Sequence, residues 1–144
     1  GKALLAFTSK LTYPHNFSGN WNQSSPDPCT WDHVTCNQDN NVIRVLLNNN
    51  NLSGDVPQSL AKIIHNISIV MLYGNNISGM IPNEFGVNLT NLISLDLYDN
   101  RLTGNIPGTL GKLSQLKYLC VYNDLFSSQP RNFDTCFIFI IIKL

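Results

Sequence analysis

Charge is scarce in this chain of 144 residues: Asp, Glu, Lys and Arg make up only 12% of it, and nine basic residues balance nine acidic ones. No basic field is available to neutralise phosphates, so nucleic acid is not expected as a partner. Histidine is confined to His15, His33 and His65, scattered along the sequence. No nucleophile elbow or phosphate loop accompanies them. Asp96 and Asp99 lie three apart and need not face each other. An enzyme is therefore not expected, and no cofactor. A CxxC pair is missing too, so no zinc site is expected. The single sustained apolar run, Cys136 to Ile142, is far shorter than the ~20 residues a helix needs to cross a ~30 Å hydrocarbon core.

Polarity comes instead from Asn, Ser and Thr. Six Asn-x-Ser/Thr sequons stand at Asn16, Asn22, Asn51, Asn66, Asn76 and Asn88. Together they point to a glycosylated, secreted or cell-surface protein. The four cysteines agree with an oxidising compartment. Cys29 and Cys36 flank a short Trp-containing segment and are expected to form a disulfide. Cys120 is expected to face outward and Cys136 lies in the tail. The sequence leaves their pairing open, although a free thiol would be unusual in a secreted protein. The chain begins at Gly1 without an initiator Met, consistent with removal of a signal peptide.

Asn50, Asn75 and Asn100 stand 25 residues apart, and each opens the phrase Asn-x-(Leu/Ile)-x-Gly-x-(Val/Ile)-Pro. A fixed period in this range marks a solenoid. Ahead of each Asn runs an apolar triplet: Val42/Val45/Leu47, Ile67/Val70/Leu72, Leu92/Leu95/Leu97, then Leu116/Leu119/Val121. The alternating last two of each triplet fit a short strand with one face buried, stacked in parallel on its neighbours. Each Asn is expected to satisfy backbone groups of adjacent turns. Gly54, Gly79 and Gly104 mark positions that a Cβ would crowd, and Pro57, Pro82 and Pro107 bend the chain.

Three regions result. Residues 1–41 form a cap, with Ala3, Leu4, Phe7 and Leu11 at helical spacing, a stop at Tyr13-Pro14, and Trp21 and Trp31 covering the first rung. Residues 42–124 hold about three and a half repeats; in the fourth, Asp124 replaces the Asn and Ser128 the Gly. Residues 125–144 form an irregular apolar tail that leaves the period, with Phe137 to Ile142 prone to aggregate unless packed.

The outward positions of the strands line up by the period. One column is Asn48, Tyr73, Tyr98, Tyr122; a second is Leu46, Met71, Asp96, Cys120; a third is Arg44, Ile69, Ser94, Tyr118. Three tyrosines in register beside exposed apolar side chains suit a contact surface. Cross-strand stabilisation is the alternative role for them. None of the sequons falls within the outward strand segments.

The phrase LxxLxLxxNxLxGxIP resembles the plant-type leucine-rich repeat. A-L-L-A-F from Ala3, Trp21, and P-C-T-W-D-H-V-T-C from Pro28 resemble the cap that accompanies it. More narrowly, C-T-W-D-H-V-T-C-N-Q-D-N-N-V-I-R-V, L-Y-G-N-N-I-S-G, N-L-T-N-L-I-S-L-D-L-Y and G-T-L-G-K-L-S-Q-L-K resemble the ectodomain of the somatic embryogenesis receptor kinases over residues 3–124. The resemblance implies an α/β leucine-rich repeat solenoid, a right-handed superhelix with a parallel sheet on its concave face. It implies a co-receptor-like module, monomeric when free, that docks on a leucine-rich-repeat receptor ectodomain with a steroid or peptide ligand. Its place would be extracellular, or the plasma membrane in a longer form.

Tyr73, Asp96 and Tyr98 match the family's partner-contacting positions on the concave face. Ile69, Met71 and Cys120 stand where the family usually has Tyr, Glu and Arg. His33 matches a cap histidine that contacts steroid, with Asp32 beside it in place of a Phe. The family continues through about five repeats, a Pro-rich stretch, a transmembrane helix and a kinase; this chain carries none of the last three, so a truncated or diverged form without kinase is implied. Two alternatives remain: a defence protein resembling polygalacturonase inhibitors, and a truncated gene product without independent function.

Overall fold

The computed structural model describes residues 4–5, 11–12, 20–21, 24, 26–56, 58, 60–61, 65–122, 124–125 and 136–138. Each repeat buries its aliphatic side chains in the same places. Val45/Leu47, Val70/Leu72, Leu95/Leu97 and Leu119/Val121 point inward from the strands. Leu52, Ile77 and Leu102 follow the turns, and Leu60, Phe85 and Leu110 close each coil from the far side. Stacking makes these columns one continuous core that reaches Leu4, Leu11 and Trp31 in the cap.

The strands are β1 (Leu11–Thr12), β2 (Val34–Cys36), β3 (Val42–Leu46), β4 (Ser53–Asp55), β5 (Ile69–Met71), β6 (Asn76–Ser78), β7 (Ser94–Asp96), β8 (Tyr118–Cys120) and β9 (Phe137–Ile138). The main sheet has the order β2-β3-β5-β7-β8-β9. Its four repeat strands are parallel, with Arg44, Ile69, Ser94 and Tyr118 in one register and Leu46, Met71, Asp96 and Cys120 in another. The antiparallel strands β2 and β9 lie on either side of them. A second sheet, β1-β4-β6, runs along the flank.

After each strand the backbone turns through the left-handed region at Asn49 (φ 58°), Gly74 (φ 67°) and Asp99 (φ 55°). These are residue types that tolerate it. The ladder asparagine then joins neighbouring coils. Asn75 Oδ1 accepts the Asn50 and Leu52 N–H groups at 3.0 and 2.9 Å, and its Nδ2 donates to the Leu47 and Leu72 carbonyls. Asn100 repeats the pattern with Ile77 N–H and the Leu72 and Leu97 carbonyls. A Cβ on Gly86 would overlap the Thr109 carbonyl, so the helix Phe85–Asn88 and the 3-10 helix Gly108–Lys112 meet backbone to backbone.

Two expectations change. Leu11 is not on a cap helix: Leu4 and Leu5 are helical, but Leu11 pairs with Gly54 in β1–β4 and buries itself under the first coil. Ala3, Phe7, Tyr13, Pro14 and Pro57 lie outside the described residues. The tail is not wholly irregular, because β9 adds to β8 with Phe137 opposite Leu119. The fourth repeat keeps its expected place: β8 stacks in register and Asp124 occupies the ladder position, accepting from Leu102 N–H.

Candidate partner-binding face

Residues that alternate with the buried strand side chains must emerge on the other side of the sheet. Tyr73, Tyr98 and Tyr122 do so one coil apart. Their rings stack nearly parallel, with centroids 4.5 Å apart for Tyr73–Tyr98 and 4.7 Å for Tyr98–Tyr122, each pair at 6°. Asn48 extends the row, donating from Nδ2 to the Tyr73 hydroxyl at 3.1 Å. Stacking hides the ring faces, so the row offers edges and hydroxyls.

Next to it run Leu46, Met71 and Asp96, all half-buried, and then Arg44, Ile69, Ser94 and Tyr118. Tyr118 is 48% exposed, whereas Ser94 is buried and so contributes little contact area. Cys120 corrects the sequence-based expectation. It occupies the outward register, yet is only 6% exposed, because it is bonded to Cys136, which immediately precedes β9. Cys136 therefore covers the end of this row. Cys29–Cys36 forms as expected.

Burial raises the Asp96 carboxyl above its ordinary range. Burial also raises the Tyr98 hydroxyl, followed by the neighbouring Tyr73, Tyr122, Asp96 and Asp99. Arg44 Nε is buried without a hydrogen-bond partner among the described residues. The face thus carries a cationic group at its first coil and an acidic one at its third.

His33 and Asp32 are exposed on the turn before β2. His33 adopts φ 66°, and its carbonyl accepts from Leu46 N–H at 2.9 Å, which fixes the turn beside the first coil. Trp21 Nε1 donates to the Asp32 carbonyl at 2.7 Å and packs on Trp31 with centroids 5.1 Å apart. Of the sequon asparagines, Asn51, Asn66 and Asn76 are exposed and Asn88 is half-buried, all off the tyrosine face; Asn16 and Asn22 lie outside the described residues.

Sequence reasoning missed a groove of about 720 Å³ on the flank, bordered by Asp55, Met80, Glu84 and Asn105. Its lining comes from the Gly-x-Ile-Pro turns, whose periodicity signals only structure. Among the described residues no cluster of three or more His, Cys, Asp or Glu side chains could hold a metal ion, and no helix is long and apolar enough to cross a membrane.

Comparison with known proteins agrees with this architecture. Residues 1–37 match the leucine rich repeat N-terminal domain and residues 91–113 the Leucine Rich Repeat. Leucine-rich repeat protein 1 of Arabidopsis thaliana is 53% identical over 65 residues, which is 45% of this chain and 30% of that protein. The chain thus matches less than a third of the length of this curated relative. Among solved structures, the BIR2 ectodomain of Arabidopsis thaliana superposes with a TM-score of 0.79 at 33% identity, covering 86% of this chain and 67% of that one. A chain of the BIR3–SERK2 complex, also from Arabidopsis thaliana, gives 0.78 at 28% identity, covering 86% and 68%. The cap, the stacked parallel strands and the asparagine ladder, taken with these likenesses, show that the chain belongs to the plant leucine-rich repeat family.

Proposed function

We propose that the chain is an extracellular protein-recognition module that binds a leucine-rich-repeat receptor ectodomain, or its ligand, through the tyrosine face. The observation that carries this reading is the stacked row Tyr73–Tyr98–Tyr122 beside Met71, Ile69 and Leu46, on a face without sequons. Aromatic edges and hydroxyls held rigid in advance cost little further ordering on binding. Arg44, Asp96 and Tyr118 are the polar contacts of this face. His33 and Asp32, side by side on the cap turn, are the proposed contacts for a steroid or peptide ligand. The two-protein assembly of the BIR3–SERK2 complex supports a protein partner, and the disulfides support an extracellular setting.

The test is binding to purified leucine-rich-repeat receptor ectodomains by calorimetry or pull-down. Tyr73→Ala and Tyr98→Ala should each weaken binding at least ~10-fold, as buried aromatic contacts do, and should retain the wild-type circular dichroism spectrum. Unchanged affinity in both variants would overturn the reading.

A further inference from the structure

The turn that closes the fourth repeat departs from the others at one atom. Asn75 and Asn100 accept N–H groups on Oδ1 and donate from Nδ2 to carbonyls of their own turn and of the preceding coil. Asp124 holds the same place. Its Oδ1 accepts from Leu102 N–H at 2.9 Å, as Asn75 Oδ1 does from Leu52 N–H. Its Oδ2 stands in for the amide nitrogen, is buried, and has no hydrogen-bond partner among the described residues. By the register of the ladder, the carbonyls of Leu97 and Val121 are the counterparts of Leu72 and Leu97 around Asn100. An ionised oxygen at such a position is stripped of water and repelled by acceptors; a protonated one is a donor and completes the ladder.

We propose that Asp124 is a proton-operated catch on the last coil of the recognition face. Protonated, it donates from Oδ2 into the ladder and holds the turn that keeps Tyr122 stacked on Tyr98. Ionised, it swings that oxygen out of the ladder and releases Tyr122 from the row. The inference rests on the reading of the tyrosine face as a binding surface and adds its regulation by pH. Tyr122 lies two residues before Asp124, stacks on Tyr98 at 4.7 Å, and its carbonyl accepts from Asp99 N–H at 3.2 Å.

Burial pushes the Asp124 carboxyl up to about 7; the Leu102 N–H opposes this, Asp99 adds to the rise, and the Asn100 N–H opposes it again. Asp99, on the preceding turn, is the charged group that adds to this rise at Asp124. A carboxyl raised in the folded state from 3.8 to about 7 contributes stability that is complete below about pH 4 and is lost as pH rises through about 7. The catch is therefore closed in acidic surroundings and open in mildly alkaline ones.

Asp124→Asn restores the amide at nearly constant volume and cannot titrate. Between pH 5 and pH 8 the wild-type melting temperature should fall about 3–5 °C further than that of the variant. The Tyr122 ring signals in nuclear magnetic resonance should move with a midpoint near 7 in the wild type, and stay at their acid positions in the variant. Asn100→Asp is the converse variant and should introduce a pH dependence at the third coil. Tyr122 signals that stand still across this range, or a variant that reproduces the wild-type profile, would overturn the proposal. No partner enters these measurements, so failure here is separate from failure of the receptor-binding reading.

Discussion

Asn75 and Asn100 each use one side-chain amide to pair backbone groups from two successive coils. Asn100 is buried, so truncating it leaves the Ile77 N–H and the Leu72 and Leu97 carbonyls short of a partner. Asn100→Ala should cost roughly 2–4 kcal/mol, given about 1–3 kcal/mol for each buried group left unpaired. Urea unfolding of the two proteins measures this as a lower midpoint with little change in slope. The role of these asparagines was legible because it recurs with the period. That of Asp124 was not: the sequence records a broken motif, whereas the consequence lies in which carboxyl oxygen meets acceptors across the turn.

Strand β9 is an element that periodicity could not reveal. It runs antiparallel to β8, and the hydrophobic pattern of the repeats stops before it begins. Its pairing places Cys136 next to Cys120, 16 residues away in sequence, and the disulfide fastens it. Replacing both cysteines by serine should cost about 3 kcal/mol, the loop-entropy value for a closure of this length. It should also free the edge of β8, whose unpaired backbone groups then template association. Light scattering of the double variant across a concentration series would show the larger species; a monomer as stable as wild type would contradict this. Leu11 was misread for a related reason. Its spacing from Leu4 and Phe7 fits a helix, but the backbone hydrogen bonds of β4 are available at that point, and long-range pairing overrides local spacing.

One core runs from Leu4 in the cap to Val121 in the last coil. Trp21 and Trp31 report on the cap, while far-ultraviolet circular dichroism reports on the whole sheet. Because so short an array has few interfaces to separate, tryptophan fluorescence and circular dichroism should give coincident thermal transitions; two resolved steps would mean that the cap and repeats unfold apart. The solenoid and its outward columns were legible from the sequence because a single 25-residue interval fixes both. Tight ring stacking was not, since it depends on the separation of coils and not on residue type alone. That stacking has a bearing on selectivity. Teeth of equal pitch, such as the hydroxyl ends of Tyr73, Tyr98 and Tyr122, cannot by themselves tell a docked protein from the same protein slipped by one notch. Discrimination between such alignments falls to the uneven row alongside, where an aliphatic, a thioether and a carboxylate succeed one another at Leu46, Met71 and Asp96.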